Sequence, residues 1–256
     1  MNGVKKVAVL KGGPSLERQV SLRSGAHAQE ALMRLGHEVL ALDVGPELVP
    51  ELRAVQALME AIGIPYTGSG PAACASCTDK VLAKYLMREA GVPTLEFHFL
   101  REESIRHLGA AAAVADIEAR LGFPLVVKPA SQGSALGVKF ARSSEELPGA
   151  MVGAFSYDDN ILIERYAKGR DLAVSVLDGA ADGAAASAPP GREGGAARGA
   201  PFALPVVEAV PREEAFYDYE SRYQIGMTTF ACPAELDAHT AARAQELALE
   251  VYGLLG

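Results

Sequence analysis

With 256 residues, 49% of them hydrophobic, the chain is long enough to bury the core of one or two domains. Its formal net charge of −8 and the lack of a basic block argue against nucleic acid as a partner. No apolar run approaches the roughly 18 residues that span a bilayer, and the N-terminus lacks the longer apolar core of a signal peptide, so we expect a cytoplasmic protein without a membrane partner.

The first predicted elements are a strand, a helix and a second strand. Residues 4–10 are rich in valine and predict a strand, and residues 15–35 predict a helix that Gly36 ends. Residues 37–44 predict the second strand. A strand–helix–strand start favours a parallel sheet, and therefore an α/β domain.

Two further helices precede a strong stop signal. Residues 50–62 and 78–90 carry apolar side chains at helical spacing, and Gly63 ends the first of these helices. The sequence Gly91-Val92-Pro93 ends the second, because it combines a helix-terminating glycine with a proline. We therefore predict a domain boundary here, with one domain at residues 1–92 and another at 93–256.

The second domain has more strands and fewer helices. Residues 125–127, 161–164 and 172–177 predict strands, which indicates an α+β domain with antiparallel pairing. Residues 179–202 are rich in alanine, glycine and proline and cannot bury enough surface to offset their ordering entropy. We expect them to form a disordered loop between two strands, and we expect a last helix at residues 234–255.

The three cysteines do not predict a metal site. Cys74 and Cys77 form a C-x-x-C pair, but Cys232 is far away and no histidine lies close to them in sequence. A structural zinc site needs four ligands, usually from two close pairs. Two small residues at the start of a helix are the simpler interpretation.

Lysines and carboxylates near predicted strand ends suggest a nucleotide site. Lys128 ends an apolar strand and precedes a flexible loop, which suits a polyphosphate, although an ordinary hairpin with a surface lysine fits this stretch equally well. Lys80 opens a helix, where backbone N–H groups favour anions. Glu164 ends a strand and Asp171 follows a glycine turn. Each could bind a ribose hydroxyl or a base amine, or could be a surface charge.

Three stretches in this order resemble the ATP-grasp superfamily: TDKVLAKYLMREAGVPT, FPLVVKPASQGSALGV and ILIERYAKGRDLAVSVL. Three more resemble the D-alanine–D-alanine ligases within it: GGPSLERQVSLRSG, GIPYTGSG and FYDYESRY. The last of these is similar to the mobile omega loop of that family. The resemblance covers nearly the whole chain except the Ala/Gly-rich segment.

The resemblance implies a fold and a reaction. The fold is an N-terminal parallel-sheet, Rossmann-like domain that binds substrate, followed by an ATP-grasp fold. The reaction is the ATP-dependent ligation of two D-alanines through a D-alanyl phosphate, which gives D-alanyl-D-alanine for peptidoglycan. The family also implies Mg²⁺ as cofactor and a homodimer. Another ATP-grasp ligase, joining a carboxylate to a different amine or hydroxyl, is the alternative.

Carried over residue by residue, the resemblance assigns the nucleotide site. Lys80 and Lys128 would hold the ATP phosphates. Glu164 would hold adenine together with the backbone of residues 165–167, and Asp171 would hold the ribose. The backbone positions are Arg165, Tyr166 and Ala167.

The same resemblance assigns the amino-acid site. Glu17 would bind the ammonium of the first D-alanine, and Ser134 would link Glu17 to Tyr223 as the loop closes. Arg222 stands where the family has a basic residue, often lysine, near the transferred phosphate. Tyr223 favours a dipeptide product, since the relatives that use D-lactate tend to carry histidine in that loop.

The sequence departs from the family pattern at its C-terminal end. The family continues beyond this point into a segment that supplies an Asp, a Glu and an Asn for two Mg²⁺ ions, an arginine for the intermediate and a serine for the second D-alanine. We therefore predict no metal ligands within these 256 residues. Three interpretations stay open: a fragment, an incompletely represented molecule, and an impaired enzyme that only binds nucleotide.

Overall fold

The computed structural model describes residues 4–13, 17–44, 52–179, 199–211 and 228–256. The chain forms two compact units, one extending to Pro71 and the other starting at Ala72. Helix 80–89 therefore belongs to the second compact unit. The boundary between residues 92 and 93 remains a prediction about domains. Within the described ranges, no helix is long and apolar enough to cross a membrane.

The first unit contains a parallel strand pair. Its elements are β1 (Lys6–Gly12), α1 (Arg18–Arg34), β2 (Glu38–Val44) and α2 (Leu52–Ile62). Strands β1 and β2 pair in parallel register from Lys6 opposite Glu38 to Gly12 opposite Val44. The parallel pairing predicted from the strand–helix–strand order is thus confirmed.

The second unit contains the remaining helices and strands that the structure describes. The helices are α3 (Pro71–Thr78, whose first residue belongs to the first unit), α4 (Lys80–Glu89), α5 (Glu102–Leu108), α6 (Ala110–Leu121), α7 (Leu147–Phe155) and α8 (Ala238–Leu255). The strands are β3 (Phe97–Arg101), β4 (Leu125–Pro129), β5 (Lys139–Ala141), β6 (Asn160–Arg165), β7 (Asp171–Ala173), β8 (Val176–Gly179), β9 (Gly199–Ala203), β10 (Val207–Pro211) and β11 (Thr228–Ala231).

Its strands form three antiparallel sheets, in the orders β3-β6-β4-β5, β11-β10-β7 and β8-β9. The antiparallel pairing was predicted correctly. The single strand predicted at residues 172–177 is wrong, because β7 and β8 belong to different sheets. The loop predicted at 179–202 is also too long, because Gly179 ends β8 and residues 199–203 form β9 against it. Residues 180–198 lie outside the described part.

One face of the four-stranded sheet is mainly apolar. Side chains along a strand alternate between faces, and Leu125, Val127, Ile161 and Ile163 share the face that packs on α6 and α7. All four are completely buried. Burying each such side chain contributes roughly 1.5–3 kcal/mol, so this face provides the rigid base for the residues on the other face.

Helix α4 covers part of the opposite face. Asp79 caps this helix: its carboxylate accepts hydrogen bonds from the N–H of Val81 at 2.9 Å and of Leu82 at 3.1 Å. Val81 then packs against Leu162 on β6. The cap explains why the predicted helix 78–90 begins at Lys80, with α3 as a separate helix before it.

Candidate functional site

The side chain of Lys80 holds the end of β4 and the loop that follows it. Its Nζ donates to the carbonyl oxygen of Pro129 at 3.0 Å and of Ala130 at 3.3 Å, and it also donates to the carbonyl oxygen of Gln132. Lys80 is the first residue of α4. The sequence-predicted lysine at a helix start and the sequence-predicted flexible loop are therefore in direct contact.

Residues 131–138 form a loop in which several residues have the left-handed backbone conformation, with positive φ. Ser134 has φ = 53° and Ala135 has φ = 59°, values that L-residues other than glycine rarely adopt. Gly137 has φ = 71°, and a Cβ there would lie 2.7 Å from Pro129 Cγ and 2.7 Å from Tyr157 Cδ2. The loop thus lies tightly against the end of β4.

A buried carboxylate lies between two lysines on the face of the sheet that α4 covers. Glu164 Oε2 is 2.9 Å from Lys84 Nζ, and Glu164 Oε1 accepts a hydrogen bond from Lys128 Nζ. The exposed fractions of the side chains are 9% for Glu164, 10% for Lys84 and 22% for Lys128. The structure therefore brings the predicted phosphate-binding Lys128 into contact with the predicted adenine-binding Glu164.

The register of the sheet explains this contact. Lys128 lies opposite Leu162 and Val126 lies opposite Glu164, so Lys128 and Glu164 are diagonal neighbours on one face. Burial raises the pKa of the Glu164 carboxyl, but the charges and hydrogen bonds of Lys128 and Lys84 outweigh it, so this pKa lies below its ordinary value. Glu164 is accordingly an anion at neutral pH.

Sequence reasoning missed Lys84. Its Nζ also donates to Thr94 Oγ1 at 2.7 Å and lies 5.2 Å from the centroid of the Phe97 ring. A signal was present in the sequence: Lys84 lies on the same helix face as the apolar Val81, where a lysine needs an anionic partner. The identity of that partner, 80 residues later in the chain, could not be inferred from local spacing.

The segment after β6 links two sheets. The N–H of Arg165 donates to the carbonyl oxygen of Glu96 at 3.2 Å, and the N–H of Tyr166 donates to that of Pro124 at 3.0 Å. The Tyr166 ring packs edge-on against Phe140, with centroids 5.7 Å apart. The backbone that precedes Ala167 is thus held in a defined position at the end of the strand that carries Glu164.

Asp171 begins β7 at the other end of this linking segment. It is exposed and lies opposite Ala209 on β10. The preceding Arg170 donates through both Nε and Nη2 to the carboxylate of Glu208, and through Nη1 to the carbonyl oxygen of Glu235 at 2.8 Å. A planar guanidinium that binds a carboxylate in this bidentate way fixes orientation as well as distance.

The predicted amino-acid site is only partly described. Glu17 immediately precedes α1 in the first unit, and Ser134 lies in the loop of the second unit. Arg222 and Tyr223 lie outside the described residues. The roles assigned to these four residues remain predictions.

Metal ligands are the next candidates in the described ranges. These ranges contain no group of three or more His, Cys, Asp or Glu side chains that could hold a metal ion. Burial and the neighbouring Cys74 raise the pKa of the Cys77 thiol, which disfavours the thiolate that metal binding and redox chemistry need.

Comparison with known proteins identifies the family. The family model described as D-ala D-ala ligase C-terminus matches residues 86–192 and 196–256. The D-alanine–D-alanine ligase of Anaeromyxobacter dehalogenans is 37% identical over 93% of this chain and 74% of its own length. The D-alanine–D-alanine ligase of Geobacter sulfurreducens is 35% identical over 91% of this chain and 70% of its own length.

A solved structure agrees with these sequence matches. The D-alanine–D-alanine ligase from Bacillus anthracis superposes with a TM-score of 0.70 at 25% identity, covering 99% of this chain and 79% of that one. This chain therefore has the fold of these ligases, in agreement with the ATP-grasp fold predicted from the sequence. The chain belongs to the D-alanine–D-alanine ligase family.

Proposed function

We propose that this protein joins two D-alanine molecules into D-alanyl-D-alanine at the expense of ATP, and so supplies the dipeptide for peptidoglycan. The observation that carries the proposal is the buried contact between Lys128 and Glu164. These are the residues to which the family motifs assign the phosphates and the adenine. In a chain that belongs to this family, their contact supports one continuous nucleotide site.

The geometry gives each part of ATP a partner. Lys128 would attract the phosphates, and the loop that Lys80 holds would approach them with its backbone N–H groups. The Glu164 carboxylate would accept a hydrogen bond from the adenine amine. Because the N–H groups of Arg165 and Tyr166 already donate within the protein, Ala167 would supply the N–H donor for an adenine ring nitrogen.

Asp171 would bind the ribose. Its exposed carboxylate can accept hydrogen bonds from hydroxyl groups. The neighbouring contact between Arg170 and Glu208 would keep it in place.

The reaction needs charge neutralisation and protection from water. A carboxylate oxygen of the first D-alanine attacks the γ-phosphorus of ATP, the bond to the β-phosphate oxygen breaks, and ADP and an acyl phosphate form. The amine of the second D-alanine then attacks the acyl carbon, phosphate leaves, and the nitrogen loses a proton. Phosphoryl transfer depends mainly on positioning and charge stabilisation, which are the contributions that Lys128 and Lys80 can make.

The first D-alanine would be held by residues carried over from the family. Glu17 would bind its ammonium, and Ser134 would connect Glu17 to Tyr223 in the closing loop. Arg222 would lie near the transferred phosphate. Closure would exclude water, which otherwise hydrolyses the acyl phosphate.

Two further properties follow from the family resemblance. We propose a homodimer formed through the N-terminal unit, which light scattering on the purified protein would test. We also propose a cytoplasmic location, because the reaction consumes ATP. Fractionation of cells that produce the protein would test it.

The decisive experiment measures product and substrate choice together. The protein is incubated with ATP, MgCl₂ and D-alanine, and both ADP and the dipeptide are measured by liquid chromatography with mass spectrometry. We expect equal amounts of ADP and D-alanyl-D-alanine, and no dipeptide from L-alanine. Turnover of a different carboxylate and amine, with none of D-alanine, would contradict the substrate assignment.

A further inference from the structure

Lys84 is a buried cation that none of the family motifs above assigns to a role. It lies in the middle of α4, is 8% exposed as a residue, and makes a 2.9 Å ion pair with Glu164. Lysine is almost never fully buried unless it is paired. A lysine in this position therefore acts on the carboxylate that it contacts.

The contacts of Lys84 fix its ammonium group. Glu164 accepts on one side at 2.9 Å, Thr94 Oγ1 accepts at 2.7 Å, and the Phe97 ring lies 5.2 Å away. Three contacts from different elements leave the ammonium little freedom to move.

Charge counting shows what this fixed cation changes. Glu164 carries one negative charge, while Lys84 and Lys128 carry one positive charge each, so the cluster has a net charge of about +1 at neutral pH. Without Lys84 the remaining pair would be neutral. The field of Lys128 would then be largely offset by Glu164, and a phosphate would gain much less from approaching it.

We propose that Lys84 is a positioning residue that neutralises Glu164, so that the positive charge of Lys128 remains available to the phosphates of the nucleotide. This inference rests on the proposed nucleotide site. It means that Glu164 can face an adenine amine without cancelling the neighbouring phosphate-binding charge. Lys84 itself contacts neither the phosphates nor the reacting atoms.

The proposal predicts a selective loss of affinity. In Lys84→Met, ATP should bind about tenfold or more weakly, because a neighbouring charge changes an ionic equilibrium by about one to three powers of ten. Adenosine has no phosphates, so its affinity should change much less than that of ATP. A purely structural role would lower both affinities alike or change only the thermal midpoint.

The conservative variant and a double variant complete the test. Lys84→Arg keeps the charge and should restore most of the ratio of ATP affinity to adenosine affinity. The double variant Lys84→Met, Glu164→Gln removes one charge of each sign, so its cluster keeps a net charge of about +1 and should recover most of the ratio that Lys84→Met loses. It also serves if Lys84→Met alone fails to fold, because the charge it leaves without this partner is Lys128, whose side chain is 22% exposed.

The measurement is isothermal titration calorimetry with ATP and with adenosine on the purified protein. An unchanged affinity ratio in folded Lys84→Met would overturn the inference, as would a double variant whose ratio stays about tenfold below that of the unmodified protein. Failure of the unmodified protein to bind ATP would instead contradict the proposed function, so the two failures are distinguishable.

Discussion

The backbone N–H of Lys80 donates to the carbonyl oxygen of Ala130 at 3.0 Å. This bond joins the first residue of α4 to the residue that follows β4, and the Lys80 ammonium adds contacts to the same stretch. The helix start and the loop are therefore one structural piece. A substitution at Lys80 should affect both stability and nucleotide binding.

Lys80→Met should destabilise the second unit. The carbonyl oxygens of Pro129, Ala130 and Gln132 would lose the ammonium donor. Leaving partly buried acceptors unsatisfied costs about 1–3 kcal/mol. We expect a lower urea midpoint and weaker ATP binding in the same variant.

Lys6→Met is the matched control for Lys80→Met. Lys6 lies on β1 with a side chain that is 86% exposed, and its pair with Glu38 is long at 3.8 Å. Removing it should leave the urea midpoint unchanged, because exposed ion pairs contribute little. Equal midpoints for Lys80→Met and unmodified protein would contradict the anchoring role of Lys80.

Gly137→Ala should disrupt the loop, whereas Gly149→Ala should not. A Cβ on Gly137 would lie within 2.7 Å of two neighbouring side chains, and φ there is +71°. A Cβ on Gly149, within α7, meets nothing within 4 Å. We expect a loss above about 1 kcal/mol for the first and a gain of about 0.5–1 kcal/mol for the second.

Chemical denaturation of both glycine variants checks this prediction. Hydrogen exchange at residues 131–138 then shows whether the loss in Gly137→Ala is local. If Gly137→Ala were as stable as the unmodified protein, the tight approach of the loop to Pro129 would be wrong.

Strands β4 and β6 were predictable from their composition. Residues 125–127 and 161–164 are short apolar runs, and such runs indicate buried strands whatever they pair with. Helices α5 and α6 were not predicted, although Ile117 and Leu121 show the four-residue spacing of a buried helix face. The split of residues 172–177 between two sheets depends on partners far away in sequence, so no local pattern could show it.

The residues of the candidate site could be predicted from the sequence, but the contacts between them could not. The family motifs supplied Lys128 and Glu164, but their contact depends on the register between β4 and β6. Lys84 was missed for a related reason, since its partner lies on a strand 80 residues later. Residue types at motif spacing can be identified from sequence, whereas charge pairing across a sheet needs the folded register.

The ion cluster of Glu164, Lys84 and Lys128 should make the stability of the protein depend on pH. Burial raises the pKa of Glu164, but the charges and hydrogen bonds of Lys128 and Lys84 lower it by more. The pKa of Glu164 therefore lies below its ordinary value of 4.5. A lowered carboxyl pKa contributes stability that is fully present above the unfolded value. That contribution is lost as the pH falls through the folded value.

Glu164→Gln isolates this contribution. The difference in urea midpoint between the unmodified protein and Glu164→Gln should change little between pH 7 and pH 5 and should shift against the unmodified protein below about pH 4.5. Glu118→Gln, exposed on α6, controls for removing a carboxylate. A midpoint difference that does not change with pH would contradict the ionised cluster.

Ser134→Gly and Ala135→Gly should separate loop strain from side-chain chemistry. Both residues have left-handed φ, 53° and 59°, which costs about 1–2 kcal/mol per residue. Glycine removes that cost but adds about 0.4–1 kcal/mol of unfolded-state entropy. Each variant should therefore be more stable by up to about 1.6 kcal/mol, as measured by urea denaturation.

The two variants should differ in activity. Ser134→Gly loses the hydroxyl that would link Glu17 to Tyr223, so dipeptide formation should fall at least tenfold, because about 1.4 kcal/mol of lost hydrogen bonding is a factor of ten. Ala135→Gly removes only a methyl group and should keep its rate. Equal losses in both would assign the effect to the loop conformation, and unchanged rates in both would remove Ser134 from the site.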